Sequence, residues 1–181
     1  QNADPSKTIV AQGQTYFAIQ TRIAEVQQMK EYQELTSEEE KRLFLRAELL
    51  QHNSQLASAA KDAGVIDSRD YAIFQNYGYQ GLYGGLTAKD IHARKGLKKS
   101  QKILDHMGST ELAANLFRAT QTEEKLKRQN IKGKQKANMT HYEGGANVRQ
   151  TIKDLGGTMP ENLPVEESIK VVERKRQKQL K

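Results

Sequence analysis

The apolar residues recur at helical spacing along nearly the whole chain, which predicts about five to seven helices and no sheet of consequence. Pro5 suits the first turn of a helix over residues 5–28. The next pattern, over residues 36–64, ends at Gly64 and has two apolar faces. A helix of this kind packs between two neighbours, one of which can belong to a second subunit. The first face carries Leu45, Leu49, Leu56, Ala60 and Ala63, and the opposite one Leu43 and Leu50.

Residues 65–86 are rich in aromatic residues and glycine, with four of the seven tyrosines and four glycines. We expect a short helix over residues 67–76, followed by an irregular loop. The aromatic rings fit two roles. They can form a stacking platform for exposed bases, or they can fill the gap between two helical halves. The second role is favoured because the chain has few other large apolar side chains. The residues concerned are Tyr71, Phe74, Tyr77 and Tyr83.

From residue 87 onward the helix boundaries are well marked. Thr87 and Asp90 have the spacing of a capping box, and Gly96 is a natural end for that helix. Ser100 to Met107 are predicted to form another helix. The pair Gly108-Ser109 then ends this helix and caps the next one.

The helix predicted over residues 109–130 has the most regular pattern in the chain. Its apolar positions follow a heptad-like seam with one charged member, Glu123. Such a seam pairs with a helix of the same or of another subunit. The predicted helix-pairing residues are Leu112, Leu116, Ala119 and Leu126.

Two further helices are predicted in the last third of the chain. The first, over residues 131–157, is stopped by Gly156-Gly157 and Pro160. Two glycines at 144–145 cost about 1 kcal/mol each relative to Ala and allow a kink or break there. The second, over residues 165–181, is basic and frays beyond about residue 174. Its anchors are Val165, Ile169, Val172 and Leu180, and the apolar arc of the first comprises Ala137, His141, Gly144, Val148, Ile152 and Leu155.

These patterns predict an all-α fold, a somewhat open multi-helix bundle in which helix pairing can extend across a dimer. We divide the chain into a terminal helix (1–28), a long linking helix (29–66), a helical core module (67–160) and a basic C-terminal helix (161–181). The chain opens with Gln in mid-pattern, so we expect it to be part of a longer protein.

The amino-acid composition limits the kinds of function that this protein can have. The chain has no Cys, which excludes disulfides and thiolate metal sites, and it has no apolar run long enough to span a bilayer. Leu, Ile, Val and Phe together are scarce, which favours helices with narrow apolar stripes over a compact enzyme. Residues 85–140 hold 13 Lys or Arg and 5 Asp or Glu, a net charge of +8. Clustering of this kind indicates a polyanionic partner.

The segment LTAKDIHARKGLKKSQKILDHMG looks at first like a DNA-reading helix-turn-helix. That motif needs a small residue four positions before the turn glycine and branched residues six and nine positions after it. Here those positions hold His92, Lys102 and Asp105. The spacing therefore argues against a helix that reads bases in the major groove.

Contact with phosphate makes weaker demands on geometry, and two groups of cations fit it. The alternative interpretation is an ordinary solvated helix face. The group that we call the first basic run consists of Arg94, Lys95, Lys98, Lys99 and Lys102. The group that we call the second basic run consists of Lys125, Lys127, Arg128, Lys132, Lys134 and Lys136.

No pattern of catalytic residues stands out. The four histidines have no metal-binding spacing, and no phosphate-binding glycine loop occurs. His141 fits a hydrogen-bonded core histidine better than a base. We therefore expect no enzymatic activity, no catalytic residue, no metal, no cofactor and no small-molecule substrate. A nuclease would need a carboxylate cluster that the sequence lacks.

Three stretches resemble one bacterial family, DNA-damage-inducible protein D (DinD). They are ADPSKTIVAQGQTYFAIQTR, the run from GLYGGLTAKD to GKQKAN, and HYEGGANVRQTIKDLGGTMPENLP. The resemblance covers nearly the whole chain, and GSTELAANLFRATQTEEKL is especially distinctive. It implies that residues 1–28 are the end of a BRO-like domain of the type shared with phage antirepressors, most of which is missing here.

The resemblance also implies a cytoplasmic protein of the SOS response, acting on DNA or on the RecA–DNA filament in recombination and repair, without catalysis. The alternative is a helical protein–protein module, dimerising or antirepressor-like, that does not bind DNA directly. Neither hypothesis involves a membrane.

Overall fold

The structure, a computed structural model, describes residues 32–35 and 37–179. The chain divides into two compact units, Gln1–Ser37 and Glu38–Lys181, and the helices below all belong to the second. The helix predicted over 5–28, Leu180 and the start of the second predicted helix at Thr36 lie outside the described residues. Within the described residues the fold is all-α, without strands, and no helix there has the length and apolar character needed to cross a membrane.

The described residues of this unit form six α-helices and two 3-10 helices. They are α1 (Glu38–Asp62), α2 (Ser68–Leu82), α3 (Ala88–Arg94), a 3-10 helix (Ile103–His106), α4 (Ser109–Arg128), α5 (Lys134–Asp154), a second 3-10 helix (Pro160–Asn162) and α6 (Ile169–Gln179). The main layers are the α1–α4, α4–α5 and α2–α5 pairs, and α6 lies against α1 and the first 3-10 helix.

The predicted inner face of α1 is confirmed, since all five of its apolar residues are buried. On the opposite face Leu50 is 66 % exposed and Leu43 is half-buried. Gly64 ends the helix with φ +101°, a left-handed conformation that favours glycine.

The predicted loop after residue 76 is wrong, because α2 continues to Leu82 through Gly78 and Gly81. These glycines lie where α2 crosses α5. A Cβ on Gly145 of α5 would stand 2.5 Å from the carbonyl oxygen of Gly78, and one on Gly81 would collide with the carbonyl of Tyr142. The close approach of the two helices thus explains these glycines. The helix α5 itself continues through residues 144–145 without a break.

The predicted helix over 100–107 is also wrong, since only a 3-10 turn forms there. Buried Arg42 of α1 donates to the carbonyl oxygens of Asp105 (3.3 Å) and Met107 (2.9 Å), at the end of this turn. The turn is thus tied to α1, and within the described residues no second α-helix follows α3 at the spacing of a helix-turn-helix.

Ser109 does not cap α4, because the cap position is Gly108 and Ser109 is the first helical residue. The capping carboxylate comes from α1: Glu38 accepts from the backbone N–H and from the hydroxyl of Ser109, both at 2.7 Å. An anion at a helix N-terminus satisfies donors that have no partner within the helix. The other boundaries of α4 match the prediction.

Two predicted anchors near the C-terminus are exposed. Leu155 follows the end of α5 and is 76 % exposed, and Val165 precedes α6 and is 48 % exposed. The anchors Ile169 and Val172 are buried as predicted, and α6 runs to Gln179.

Candidate nucleic-acid interface

The first basic run begins on α3, whose start is fixed locally. Thr87 and Asp90 form the predicted capping box: Asp90 N–H donates to Thr87 Oγ1, and the Asp90 carboxylate accepts from Thr87 N–H at 2.9 Å. The hydrogen bonds from Thr87 lower the pKa of Asp90. Gly96 follows the helix with φ +62°, as a C-terminal glycine does. The sequence prediction for this short helix is confirmed.

The turn after Gly96 is held by His92. Its Nε2 lies 3.1 Å from the carbonyl oxygens of Lys98 and Gln101. Because carbonyl oxygens only accept, Nε2 carries the proton. The Gln101 side chain also accepts from the backbone N–H of Lys98 at 2.7 Å. These bonds fix the backbone that carries the exposed lysines.

Lys95 points inward and pairs with a fully buried carboxylate. Its Nζ lies 2.9 Å from Glu111 Oε2, and the side chains are 7 % and 0 % exposed. The Tyr83 hydroxyl donates to Glu111 Oε1 at 2.8 Å. Burial raises the pKa of Glu111, and Lys95 and Tyr83 oppose that rise. Lys95 therefore anchors the turn, and its ammonium group is not available to bind phosphate.

The polar contacts continue from Tyr83 through the core to α5. Asn115 donates to the Tyr83 hydroxyl and accepts from Arg118, and Arg118 contacts His141 Nε2. His141 Nδ1 donates to the Phe74 carbonyl at 2.9 Å. Because the Arg118 guanidinium can only donate, His141 Nε2 accepts, and the ring is therefore neutral. Burial and the neighbouring Arg118 hold the pKa of His141 well below its usual range. The prediction of a hydrogen-bonded core histidine is confirmed.

Arg118 is 1 % exposed and has no carboxylate partner among the residues that the structure describes; its guanidinium lies 4.7 Å from the centre of the Tyr79 ring. Of the four aromatic residues expected to fill the core, Phe74 and Tyr83 are buried, while Tyr71 and Tyr77 are half-buried. Tyr71 lines the cleft described below.

The other members of the first basic run are on the surface. Arg94 donates to the Glu161 carbonyl and the Asn162 side chain, which are neutral acceptors. The side chains of Lys98, Lys99 and Lys102 are exposed and form neither a hydrogen bond nor an ion pair within the described part of the chain. Within the described residues none of these four side chains forms an ion pair with a carboxylate.

Most of the second basic run is paired. Four of its six cations lie within 3.1 Å of a carboxylate oxygen, and Lys132 donates to the Asp62 carbonyl. Lys136 alone among the six has no side-chain partner within residues 32–35 and 37–179. The pairs are Lys125–Glu143, Lys127–Glu123, Arg128–Glu124 and Lys134–Asp70.

Three of the four predicted helix-pairing residues, Leu112, Ala119 and Leu126, are buried between helices of this chain, and Leu116 is half-buried. The seam thus contributes to the core formed by α4 with α1 and α5.

A cleft of about 580 Å³ opens beside the first basic run, between α1, α2, α3 and the first 3-10 helix. Its lining combines rings, amides and cations. Lys102 joins the cleft to the first basic run. The lining residues are Arg46, Asn53, Tyr71, Gln75, Tyr79, Ala88, Lys89, His92, Gln101, Lys102, Ile103 and Leu104.

Sequence reasoning missed the buried polar chain and the arginine from α1. Arg42 and Arg118 look like solvated cations in the sequence. One signal was present: Glu111, Asn115, Arg118 and Thr122 recur at spacings of three and four, the period of one helix face. No group of His, Asp and Glu within the described residues is arranged to hold a metal ion.

Residues 35–172 match the family model described as the DinD C-terminal domain. The chain is also 63% identical over 183 aligned positions to DNA damage-inducible protein D of Escherichia coli strain K12, covering 97% of this chain and 66% of that protein. It thus spans just under two thirds of the relative's length. No solved structure is significantly similar to it. The chain belongs to the DinD family, and residues 35–172 form its DinD C-terminal domain.

Proposed function

We propose that this chain serves in the response to DNA damage and contacts the DNA backbone, free or within a RecA–DNA filament, through the surface part of the first basic run. The name of the Escherichia coli relative supports the damage role. The observation that carries the DNA contact is the turn after α3. There Lys98, Lys99 and Lys102 are exposed, without carboxylate partners in the described part of the chain, on a backbone fixed by His92 and Lys95.

The proposed contact is electrostatic and does not depend on base sequence. The turn leads into the 3-10 helix Ile103–His106, where a helix-turn-helix would have its recognition helix, so this segment does not supply a helix for the major groove. Lysines on a fixed turn need only reach phosphate oxygens and release counterions. The proposed role is non-enzymatic and cytoplasmic. The alternative protein–protein module has less support, because most of the α4 seam is covered within the chain.

Salt titration of DNA binding tests this proposal. We expect the double substitution Lys98→Glu and Lys99→Glu to make the log–log salt dependence of the affinity for duplex DNA shallower by about two. The matched control is Lys153→Glu, which reverses an exposed charge in the last turn of α5. The same titration with RecA-coated strands separates the two targets. Unchanged affinity of the double variant for both targets would contradict the proposal.

A further inference from the structure

The lining of the cleft beside the first basic run includes both aromatic and aliphatic side chains. Among them are the half-buried ring of Tyr71, from α2, and the apolar side chains of Ile103 and Leu104, from the first 3-10 helix. An aromatic ring with apolar neighbours suits a planar group, because bases stack on aromatic rings irrespective of sequence. Its volume of about 580 Å³ lies in the range of small-molecule sites.

The cleft also offers hydrogen-bonding groups suited to the edge of a base. Amide side chains of Asn53, Gln75 and Gln101 line it. Gln75 is committed in part, since it donates to the Tyr71 hydroxyl at 2.6 Å.

Two cations of the lining are free to bind an anion. Lys89 and Lys102 are exposed, and neither side chain has an ion pair in the part of the chain that the structure describes. The third cation, Arg46, is already paired with Asp105 at 3.1 Å. The lining therefore combines an aromatic ring and amide side chains with two cations that have no ion pair in the described residues.

We propose that this cleft binds one nucleotide unit, with the base between Tyr71 and Leu104 and the phosphate at Lys89 and Lys102. The unit is either a free mononucleotide or one unstacked nucleotide of a strand. The inference departs from the sequence-based expectation of no small-molecule ligand. It deepens the proposed function, with which it shares Lys102, but it rests on different residues: Tyr71, Ala88 and Lys89 lie outside the first basic run.

The test is an NMR titration of the whole chain with deoxyadenosine monophosphate, observing methyl signals. We expect saturable shifts for Ile103 and Leu104 and none for Leu50, which is exposed on α1 and does not line the cleft. Deoxyadenosine and inorganic phosphate, titrated separately, should each bind more weakly. No shift at Ile103 and Leu104 up to about 10 mM nucleotide, equivalent to a free energy of binding weaker than about 3 kcal/mol, would overturn the proposal.

Two variants test the site, so the result does not depend on whether a single variant folds. Ala88→Glu places a carboxylate in the lining at the start of α3, and Tyr71→Leu removes the ring while keeping an apolar side chain. Each should weaken nucleotide binding about tenfold or more. Lys99→Glu, outside the lining, should change it by less than about twofold. Equal weakening by Lys99→Glu, or equal shifts with a poly-glutamate peptide, would show a merely electrostatic surface and overturn the proposal.

Competition identifies the source of the nucleotide. If a short single strand displaces the mononucleotide and a closed duplex hairpin does not, the ligand is a nucleotide of a strand; if neither displaces it, the ligand is free nucleotide. The double variant at Lys98 and Lys99 separates this inference from the proposed function. It should lose duplex affinity and keep mononucleotide binding, whereas Ala88→Glu should do the reverse.

Discussion

The two basic runs look alike in sequence and differ in structure. Both place cations close together, yet four of the six in the second run are paired with carboxylates, against one of the five in the first. The single pair in the first run, Lys95–Glu111, is buried, whereas the pairs of the second run are on the surface. Pairing therefore serves opposite purposes: in the first run it holds the turn in place, and in the second it neutralises the surface.

The largest effect should come from Lys95→Ala, which breaks the buried pair. Glu111 would keep its charge in the core without a counter-ion, and removing one partner of a buried pair costs about 3–5 kcal/mol. Urea denaturation of the variant and of Lys99→Ala measures the difference, and the exposed control should change the free energy of unfolding by less than about 0.5 kcal/mol. Similar values for the two variants would show that Lys95 does not anchor the turn.

The loss caused by Lys95→Ala should depend on pH. Because burial raises the pKa of Glu111 in the folded state, folding favours its protonated form. The stability that this protonation contributes is fully present below the ordinary carboxyl pKa of about 4.3, and it is lost as pH rises through the raised pKa of the folded state. Without Lys95 the pKa should rise further, so the gap in stability between the two proteins should narrow as pH falls from 7 towards about 4. A constant gap across that interval would mean that Glu111 does not carry the penalty.

A paired comparison of the two runs in DNA binding should give the next largest effect. Neutralising Lys98 and Lys99 to Gln should make the salt dependence of duplex affinity shallower by about two. Neutralising Lys127 and Arg128 to Gln should change it by much less, since their charges are already opposed by Glu123 and Glu124. Equal changes in the two double variants would remove the distinction between the runs.

The smallest effect tests whether the second run can be released. Glu124→Gln frees Arg128, whose guanidinium lies 2.6 Å from the carboxylate. An exposed pair of this spacing on a helix contributes about 0.3–0.5 kcal/mol, so stability should fall only slightly. Duplex affinity at low salt should rise severalfold because the net charge of that surface increases. Asp154→Asn, which adds the same charge at the end of α5, is the control for net charge alone.

Sequence patterns predicted helices well where local signals decided the outcome. The capping box at Thr87, the inner face of α1 and the extent of α4 needed only spacing and end residues. The patterns failed where a residue distant in sequence bonds to the segment. Arg42 of α1 binds the carbonyls of Asp105 and Met107 at the end of the segment 100–107, and Glu38 provides the cap that Ser109 was expected to supply.

The glycines show the same limit in another form. Propensity predicts that Gly78 and Gly81 end a helix and that glycines at 144–145 weaken one, since each costs about 1 kcal/mol relative to Ala. Gly78, Gly81 and Gly145 instead lie where α2 and α5 meet, and Gly144 faces Thr122 of α4, at distances that no Cβ allows. The packing gain belongs to the helices together, so no single segment reveals it.

The sequence by itself determined the helical class, most helix boundaries, the positive charge of residues 85–140 and the family resemblance, because periodicity, end residues and composition are local properties of a chain. Tertiary structure decided which cations face solvent and which carboxylates neutralise them. It also produced the cleft beside Lys102, which is lined by aromatic and amide side chains. Those outcomes depend on groups far apart in sequence, such as Lys95 with Glu111 and Arg42 with Met107. Charge can be counted from the sequence, but its availability depends on the partner that folding brings to it.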